Sequence, residues 1–231
     1  MLIGRKYIGT IGYMGGVLAL PEPFVWSWSQ MIEYNNDYLC EPTERIYYTR
    51  ETRSYHSFAR NNLAKNMRGD WILMLDTDHQ FEPDIAARML FKMNKYNLDV
   101  LSGLYRYRGS PFAPVAYRWT EDGKDIRIVA GWKGPKDGFL VKVDAVGAGC
   151  LMIRRKVFER ISERLKQEPF DVIHPFSEDI SFFQRLTKLK IPAYLDPNIE
   201  VNHLMYQPIS SDMFKIDKHM VKYIKEDKVS K

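Results

Sequence analysis

The chain has 231 residues, of which 45% are hydrophobic and 13% aromatic, and its formal net charge is +5 at pH 7. This length can bury a sizeable core, and the aromatic content excludes an intrinsically disordered protein. Because 29 acidic residues accompany 34 basic ones, the mild basic excess favours anionic ligands such as phosphates. It does not indicate the concentrated basic face of a nucleic-acid-binding protein.

The first half of the sequence alternates predicted strands and helices. Strands are predicted at 6–11, 45–49, 71–75 and 98–103, and helices at 24–34, from a cap at Ser54 to about 69, and from 82 onward. This order predicts a parallel sheet with helices on its faces. Gly12, Gly15 and Gly16 follow the first strand and predict a loop in which the backbone approaches a ligand.

The second half of the sequence predicts shorter strands and helices. Three strands at 114–120, 125–131 and 139–146 predict an antiparallel meander on or beside the main sheet. Helices at 154–166 and 178–189 and short strands at 193–195 and 199–201 follow, and residues 212–231 form an amphipathic, Lys-rich segment.

Two isolated cysteines, Cys40 and Cys150, form no metal-binding or redox motif. Such cysteines are typical of buried thiols in a reducing compartment. The sequence shows no signal peptide and no stretch near the roughly 20 apolar residues that a membrane span requires. We therefore expect a cytoplasmic protein.

The most informative segment is an apolar run from Trp71 that ends in Asp76-Thr77-Asp78. It predicts a buried strand with two carboxylates at its carboxyl end, where open α/β sheets bind their ligands. Carboxylate oxygens suit Mg²⁺ or Mn²⁺, so the pattern indicates a metal-assisted site for a phosphorylated ligand. The alternative interpretation is an acidic turn in which Asp78 caps the next helix.

Four segments occur in a particular order along the chain. They are 9–13, 59–62 (Ala-Arg-Asn-Asn) with 69–78, 146–155, and 176–185 followed by Asp196-Pro197 and His203. This ordered set resembles the GT-A glycosyltransferases, specifically the family-2-like group, over roughly residues 5–206. The resemblance implies an α/β GT-A fold, which has a Rossmann-like, mostly parallel central sheet with helices on both faces and a small antiparallel meander.

The resemblance also implies a domain organisation. Residues 1–206 would form the catalytic domain, with a nucleotide-sugar-binding half at about 1–103 and an acceptor-side half at about 104–206. Residues 207–231 would be a basic amphipathic appendage, which packs on the domain or a partner subunit or contacts a membrane surface peripherally. A homo-oligomer is a further expectation.

The implied reaction moves a sugar from a nucleotide-diphosphate sugar, with a divalent cation that stabilises the diphosphate leaving group. Asp78 would bind Mn²⁺ or Mg²⁺, Asp76 would contact the ribose or the metal, with Thr77 between them, and His203 would be a further metal ligand. The alternative interpretation of His203 is a histidine in the core or at a strand end that binds no metal. His79 receives no role, because a strand-end neighbour usually points elsewhere.

The donor is expected to be a UDP-sugar, with a GDP-sugar as second choice. The resemblance assigns Thr10, Gly12 and Tyr13 to the nucleotide slot, with Tyr13 stacking on a pyrimidine, and Arg50 or Glu51 to the base or ribose. Arg60 and Asn61 complete the predicted donor site, where a guanidinium can bind the base edge or the diphosphate. A solvated helix face is the other interpretation of Arg60.

On the acceptor side, the resemblance assigns Asp179 as the general base that takes the proton of the acceptor hydroxyl. Glu178 would position the acceptor or a loop. Two carboxylates at a helix N-terminus would also stabilise the helix dipole without any catalytic role. The turn Gly147-Ala148-Gly149 would bring the backbone close to the sugar or acceptor, or be an ordinary tight turn.

Several alternatives stay open at this point. Tyr206 lies three residues after His203, a spacing found in some retaining GT-A enzymes, in which the tyrosine helps hold the diphosphate. With Asp179 as base, inversion by direct displacement is favoured over retention. The acceptor can be a saccharide, a lipid-linked molecule, a protein or a nucleobase. The rivals are a haloacid-dehalogenase-like phosphatase and a non-catalytic sugar-nucleotide-binding protein.

Overall fold

The computed structural model describes residues 5–15, 19–52, 55–129 and 139–205. The strands are β1 (Lys6–Gly15), β2 (Glu44–Thr52), β3 (Trp71–Asp76), β4 (His79–Gln80), β5 (Val100–Leu104), β6 (Ala116–Trp119), β7 (Ile126–Ile128), β8 (Val141–Val143), β9 (Ala145–Val146), β10 (Cys150–Arg154), β11 (Ala193–Glu200) and β12 (Asn202–His203). The α-helices are α1 (Glu22–Tyr34), α2 (His56–Asn66), α3 (Ile85–Lys95), α4 (Arg155–Leu165) and α5 (Glu178–Lys188). The predicted cap at Ser54 lies outside the described residues.

A seven-stranded sheet with the order β2-β1-β3-β10-β5-β11-β8 forms the centre of the fold. β1 pairs in parallel with β2 and β3, and β5 pairs in parallel with β11. β10 lies antiparallel between β3 and β5, and β8 lies antiparallel on β11. Five of the seven strands therefore run in the same direction, which makes the sheet mostly parallel, as predicted, and β3 with its carboxylates lies near its middle.

The first strand is longer than predicted. β1 continues through Gly12 to Gly15 instead of ending at Ile11, and it pairs with β2 along that whole length. The absent Cβ at Gly12 makes this possible, because a Cβ would lie 2.8 Å from a methyl carbon of Leu63 in α2. Gly12 therefore brings a helix close to the sheet, and the predicted loop at this glycine is wrong.

Helices cover both faces of the sheet. Successive residues of β1 point to opposite faces, and Gly12 meets Leu63 of α2 while Tyr13 packs on Phe24 of α1 with a ring-centroid distance of 5.2 Å. α4 and α5 contact each other, and α5 also contacts α2, whereas α3 packs on β5 and β11. One hydrophobic core runs through these layers and includes residues from Ile11 to Val201.

The predicted meander forms only in part. β6, β7 and β9 build a three-stranded antiparallel sheet, whereas β8 pairs with β11 in the main sheet. The predicted strand at 139–146 is therefore two strands with a break at Asp144. At this break the Asp144 carboxylate accepts a hydrogen bond of 3.1 Å from the Trp119 backbone N–H, which ties the junction of the two strands to β6.

The C-terminal segment 206–231, with its predicted amphipathic helix and Tyr206, lies outside the described residues. Within the described part of the chain, none of the helices combines the length and apolar character needed to cross a bilayer.

Candidate functional site

A two-stranded ribbon places two histidines beside the carboxyl end of β3. β4 follows Asp78 directly and pairs antiparallel with β12, so that His79 lies opposite His203. The Leu204 N–H donates to the Asp78 carbonyl over 2.8 Å and fixes the register. The ribbon thereby joins two residues that are 125 positions apart in sequence, Asp78 and His203.

Three side chains converge at this point. His203 Nε2 lies 3.3 Å from Asp78 Oδ2, and His79 Nδ1 lies 3.2 Å from Asp78 Oδ1. The two imidazole rings are stacked with centroids 4.7 Å apart and an interplanar angle of 13°. One ligand atom from each of the three residues lies within 4.8 Å of the others. The expectation that His79 points away from the site is wrong.

The contacts of His203 define which of its two ring nitrogens carries the proton. Nδ1 lies 2.7 Å from the Arg106 carbonyl, and because a carbonyl can only accept, Nδ1 carries the proton. In the neutral ring Nε2 then presents a lone pair to the carboxylate. Two such acceptors attract each other only through a shared cation, either a proton or a metal ion. Asp78 accordingly raises the pKa of His203.

The electrostatics of Asp78 agree with a cation site. Burial would raise the pKa of this carboxyl, but the imidazoles of His203 and His79 lower it well below its ordinary value. Among the described residues, Asp78 Oδ1 and both ring nitrogens of His79 are buried and form no hydrogen bond of acceptable angle, although Oδ1 and Nδ1 lie 3.2 Å apart. Buried polar atoms are normally paired. The three side chains therefore fit a divalent metal ion, and imidazole with carboxylate suits Mn²⁺ better than Mg²⁺.

Asp76 does not belong to this cluster. Its carboxylate accepts hydrogen bonds of 3.0 and 3.3 Å from Nη2 of Arg60. Arg60 also donates from Nη1 to the Ala148 carbonyl over 2.9 Å and from Nε to Glu178 Oε1 over 3.3 Å. One guanidinium therefore connects three of the predicted site segments.

Arg60 is only 3% exposed, so the prediction of a solvated helix face is wrong. Burial alone would lower the pKa of its guanidinium, but the neighbouring carboxylates of Asp76 and Glu178 raise it overall. All three guanidinium nitrogens have partners within the protein. We therefore assign Arg60 a positioning role beneath the site and leave it out of the proposed nucleotide contacts.

Arg60→Met is expected to lower the free energy of unfolding by about 3 kcal/mol, because breaking a buried ion pair leaves an uncompensated charge. Asp76 and Glu178 would lose their shared cation, although their side chains keep 29% and 13% exposure and thus some hydration. Urea denaturation measures the loss. Arg164→Met on the exposed face of α4 is the matched control, with an effect within about 0.5 kcal/mol. Equal midpoints for the two variants would contradict the role of Arg60.

Asp179 lies in the first turn of α5, next to Glu178. Its Oδ1 accepts a hydrogen bond from the Ser177 hydroxyl and another, of 2.8 Å, from the Ile180 N–H. Both contacts use Oδ1, and none of the hydrogen bonds among the described residues involves Oδ2. Burial, together with the charge of Glu178, raises the pKa of Asp179 above its ordinary value, although the Ser177 hydrogen bond and Arg60 lower it. A raised carboxyl pKa is what a general base near neutral pH needs.

The turn at Gly147 and Gly149 is packed against the site from within the protein. A Cβ at Gly147 would lie 2.0 Å from the Tyr105 hydroxyl oxygen, and one at Gly149 would lie 2.6 Å from Cε1 of His79. The Gly149 N–H donates to the Tyr105 hydroxyl over 3.2 Å, and the Gly149 carbonyl accepts from the Asp76 N–H over 2.9 Å. These glycines thus let Tyr105 and His79 approach the backbone at the end of β3.

The predicted nucleotide residues of β1 and α2 have partners inside the protein. Thr10 is buried and exchanges hydrogen bonds with the backbone of Arg68. Tyr13 is 9% exposed, and its ring packs edge-on against Phe24 and Trp28, so the expected stacking surface is covered.

Two further predicted donor residues have different positions. The Asn61 amide nitrogen donates to Asp171 over 2.9 Å, and its oxygen accepts from the Phe170 N–H over 2.8 Å. Both polar atoms of this side chain therefore have partners within the protein. Arg50 lies within β2, paired with Tyr13, and is exposed. Thr77 lies in the turn that joins Asp76 to Asp78. Of this group, only Arg50 and Thr77 stay among the proposed donor contacts.

The sheet order, the ribbon and the carboxylate strand end define a GT-A glycosyltransferase domain. The family model described as "Glycosyl transferase family 2" matches residues 31–162, which is more than half of the 231-residue chain. The chain belongs to glycosyl transferase family 2. The predicted family and fold class are confirmed, and the phosphatase alternative is thereby removed.

Two solved structures share the fold. A197 from STIV is 18% identical with a TM-score of 0.53, and the match covers 91% of this chain and 98% of that chain. GalNAc-T7, solved with UDP, GalNAc and Mn²⁺, is 11% identical with a TM-score of 0.60, and the match covers 87% of this chain and 43% of that chain. At these identities the likeness concerns the fold alone. No curated protein sequence is significantly similar to the chain.

Proposed function

We propose that this glycosyltransferase is metal-dependent and moves a sugar from a UDP-sugar to an acceptor hydroxyl with inversion at the anomeric carbon. The observation that carries the proposal is the cluster of Asp78, His79 and His203. Its buried polar atoms call for a cation at the carboxyl end of the sheet, which is where α/β folds bind nucleotides.

Asp78 and His203 would hold the metal, with His79 as the third ligand. When bound, the ion neutralises the charge that develops on the leaving diphosphate. The chain itself contributes the orientation of these ligands. The Arg106 carbonyl holds the His203 ring through Nδ1, and the stacked His79 ring limits its rotation. Loss of a contact that orients a metal ligand typically costs 10–100-fold in metal affinity or activity.

Asp179 would take the proton from the acceptor hydroxyl through its other carboxylate oxygen, Oδ2. The link from Asp76 through Arg60 to Glu178 ties the start of α5 to the end of β3. This link fixes the distance between the donor edge and the base, and direct displacement requires that base and donor lie on opposite sides of the acceptor oxygen. A fixed geometry of this kind lowers the entropic part of the barrier.

Two observations support UDP and Mn²⁺ as donor nucleotide and metal. The first is the imidazole and carboxylate ligand set described above. The second is that GalNAc-T7, which shares the fold, was solved with UDP and Mn²⁺. The retaining alternative depends on Tyr206, which lies outside the described residues.

A thermal-shift screen of nucleotides with and without Mn²⁺ tests the proposal. At 100 times the dissociation constant, a ligand that binds only the native state stabilises it by about 2.7 kcal/mol, or roughly 5–10 °C in Tm for a chain of this size. We expect this rise for UDP with Mn²⁺ and a smaller one for GDP with Mn²⁺. UMP, which lacks the second phosphate, and UDP with EDTA are the controls. Equal shifts for UDP with Mn²⁺ and with EDTA would refute the metal requirement.

The non-catalytic alternative is separated by a second measurement on the same samples. Release of UDP from a UDP-sugar in the presence of Mn²⁺ is expected from a transferase, because water can replace the acceptor slowly. A binding protein would be favoured by two results together. The protein would bind UDP with Mn²⁺, and the UDP-sugar would stay intact after prolonged incubation with an acceptor mixture.

A further inference from the structure

A guanidinium outside the predicted site contacts the candidate metal ligand. Nη2 of Arg108 lies 3.0 Å from Asp78 Oδ2, the same oxygen that faces His203 Nε2. The Arg108 side chain is 49% exposed. This contact joins the acceptor-side half of the chain to the end of β3, and none of the motifs in the sequence indicates it.

The backbone that carries Arg108 is held in a tight hairpin. The Tyr107 N–H donates to the Ala113 carbonyl over 2.9 Å, and the Phe112 N–H donates to the Gly109 carbonyl over 2.8 Å. Arg106 and Pro114 form an antiparallel bridge below them. The backbone position of Arg108 is therefore fixed, and its half-exposed side chain is the part that can change partner.

Space for such a change lies next to the guanidinium. A cavity of about 240 Å³ adjoins the site, and its lining includes Arg106, Tyr107, Arg108, Phe112, His203 and Met205. It reaches from the hairpin to the histidine that faces Asp78. The half-exposed Arg108 side chain therefore borders open space.

Arg108 and a divalent cation compete for Asp78. Like charges a few ångströms apart repel by several kcal/mol even at the moderate effective dielectric constant near a protein surface. A metal ion on Asp78 would therefore expel the guanidinium from Oδ2. Glu200 also lines the cavity, but it carries a single charge and already lies 3.9 Å from Arg106. A diphosphate bound to the same ion would offer the freed guanidinium a more highly charged partner, and the planar fork of arginine matches phosphate oxygens.

We propose that Arg108 is a donor-binding residue that pairs with Asp78 until a metal displaces it and then grips the diphosphate of the nucleotide-sugar. This inference rests on the proposed function, because it requires a metal and a diphosphate at the same site. The exchange of partners by Arg108 makes metal and nucleotide bind cooperatively. Each ligand gains affinity from the other, since the metal frees the arginine that the nucleotide uses, and the coupling is reciprocal.

The test measures binding and does not depend on activity. Mn²⁺ is titrated calorimetrically into wild-type enzyme and Arg108→Ala, and UDP is then titrated into the Mn²⁺-saturated proteins. We expect Arg108→Ala to bind Mn²⁺ about three-fold more tightly, as an exposed ion pair is lost from the competing state. It should bind UDP about ten-fold more weakly, as a charge-assisted contact to phosphate is lost.

Arg118→Ala is the matched control. Arg118 lies in β6 outside the cavity, its side chain is 47% exposed, and its Nη1 lies 3.5 Å from Asp144 Oδ1. The variant therefore removes the same charge and a comparable ion pair. We expect both affinities of this variant to stay within two-fold of wild type, which would exclude a general effect of net charge.

Opposite changes in the two affinities also exclude misfolding, because a damaged site would bind both ligands less tightly. Unchanged or weaker Mn²⁺ binding by Arg108→Ala would overturn the inference, and so would unchanged UDP binding. If wild type binds Mn²⁺ and UDP and Arg108→Ala behaves identically, this inference fails and the proposed function stands. If wild type itself binds neither, both fail.

Discussion

Asp78→Ala is expected to abolish Mn²⁺-dependent binding of UDP, with a loss of at least about 100-fold in affinity. The estimate follows from the two oxygens of Asp78, which face both histidines of the candidate metal site. Because loss of a group that only orients a metal ligand already costs 10–100-fold in metal affinity, loss of the central ligand costs more. Isothermal calorimetry of UDP with saturating Mn²⁺ and with EDTA measures the effect.

Asp99→Ala is the control for this experiment. Asp99 directly precedes β5 and pairs with Lys156 at the amino edge of the sheet, opposite the carboxyl end where Asp78 lies. The variant Asp99→Ala removes the same charge from the chain and should leave the Mn²⁺ dependence of UDP binding unchanged. A Mn²⁺-dependent UDP affinity in Asp78→Ala equal to that of Asp99→Ala would refute the ligand role of Asp78.

Asp179→Asn is expected to keep Mn²⁺-dependent UDP binding and to lose transfer by about 10²–10⁴-fold, the usual contribution of a general base. Asparagine retains an oxygen that can accept from Ser177 and the Ile180 N–H. It cannot take a proton from the acceptor. Parallel measurements of UDP binding and of sugar transfer separate the two effects.

The pH dependence of wild-type transfer gives an independent signature of the same residue. The base acts as the carboxylate, so kcat/KM should fall as the pH drops through the pKa of Asp179. Burial raises that pKa, so the acidic limb should lie above the ordinary value of about 3.9 for an aspartate. In Asp179→Asn the residual activity should no longer show this limb.

Asp171→Asn makes the same chemical change eight residues earlier. Asp171 is exposed and accepts a hydrogen bond from Asn61, and its variant should keep both the rate and the acidic limb. Full transfer activity in Asp179→Asn would remove this residue as the base. It would also revive the retaining mechanism as the explanation of the site.

The end of β3 could be predicted from sequence because its signals are local. Five apolar residues between Trp71 and Leu75 require burial on both faces, and the following carboxylates then have to lie at the strand end. The structure has β3 at Trp71–Asp76 with this burial. The same reasoning located α5 to within one residue, since its apolar spacing and acidic first turn are also local.

The contacts of Arg60, His79 and Arg108 could not be predicted in this way. Each depends on a partner more than 15 positions away or on ring orientation across the ribbon, and local spacing does not contain that information. The length of β1 was missed for a related reason. A glycine such as Gly12 is typical of loops, but here it lies beside the side chain of Leu63, which leaves no room for a Cβ in the strand.

The site also sets a condition on how the chain folds. Its defining contacts join residues 118 positions apart, Arg60 with Glu178, and 125 positions apart, Asp78 with His203. Contacts of such long sequence separation form slowly, because loop closure costs entropy before they contribute any energy. During synthesis the β3 carboxylates emerge well before their partners. Tight metal binding should therefore appear only once the polypeptide has passed residue 203, which would make it a reporter of completed folding.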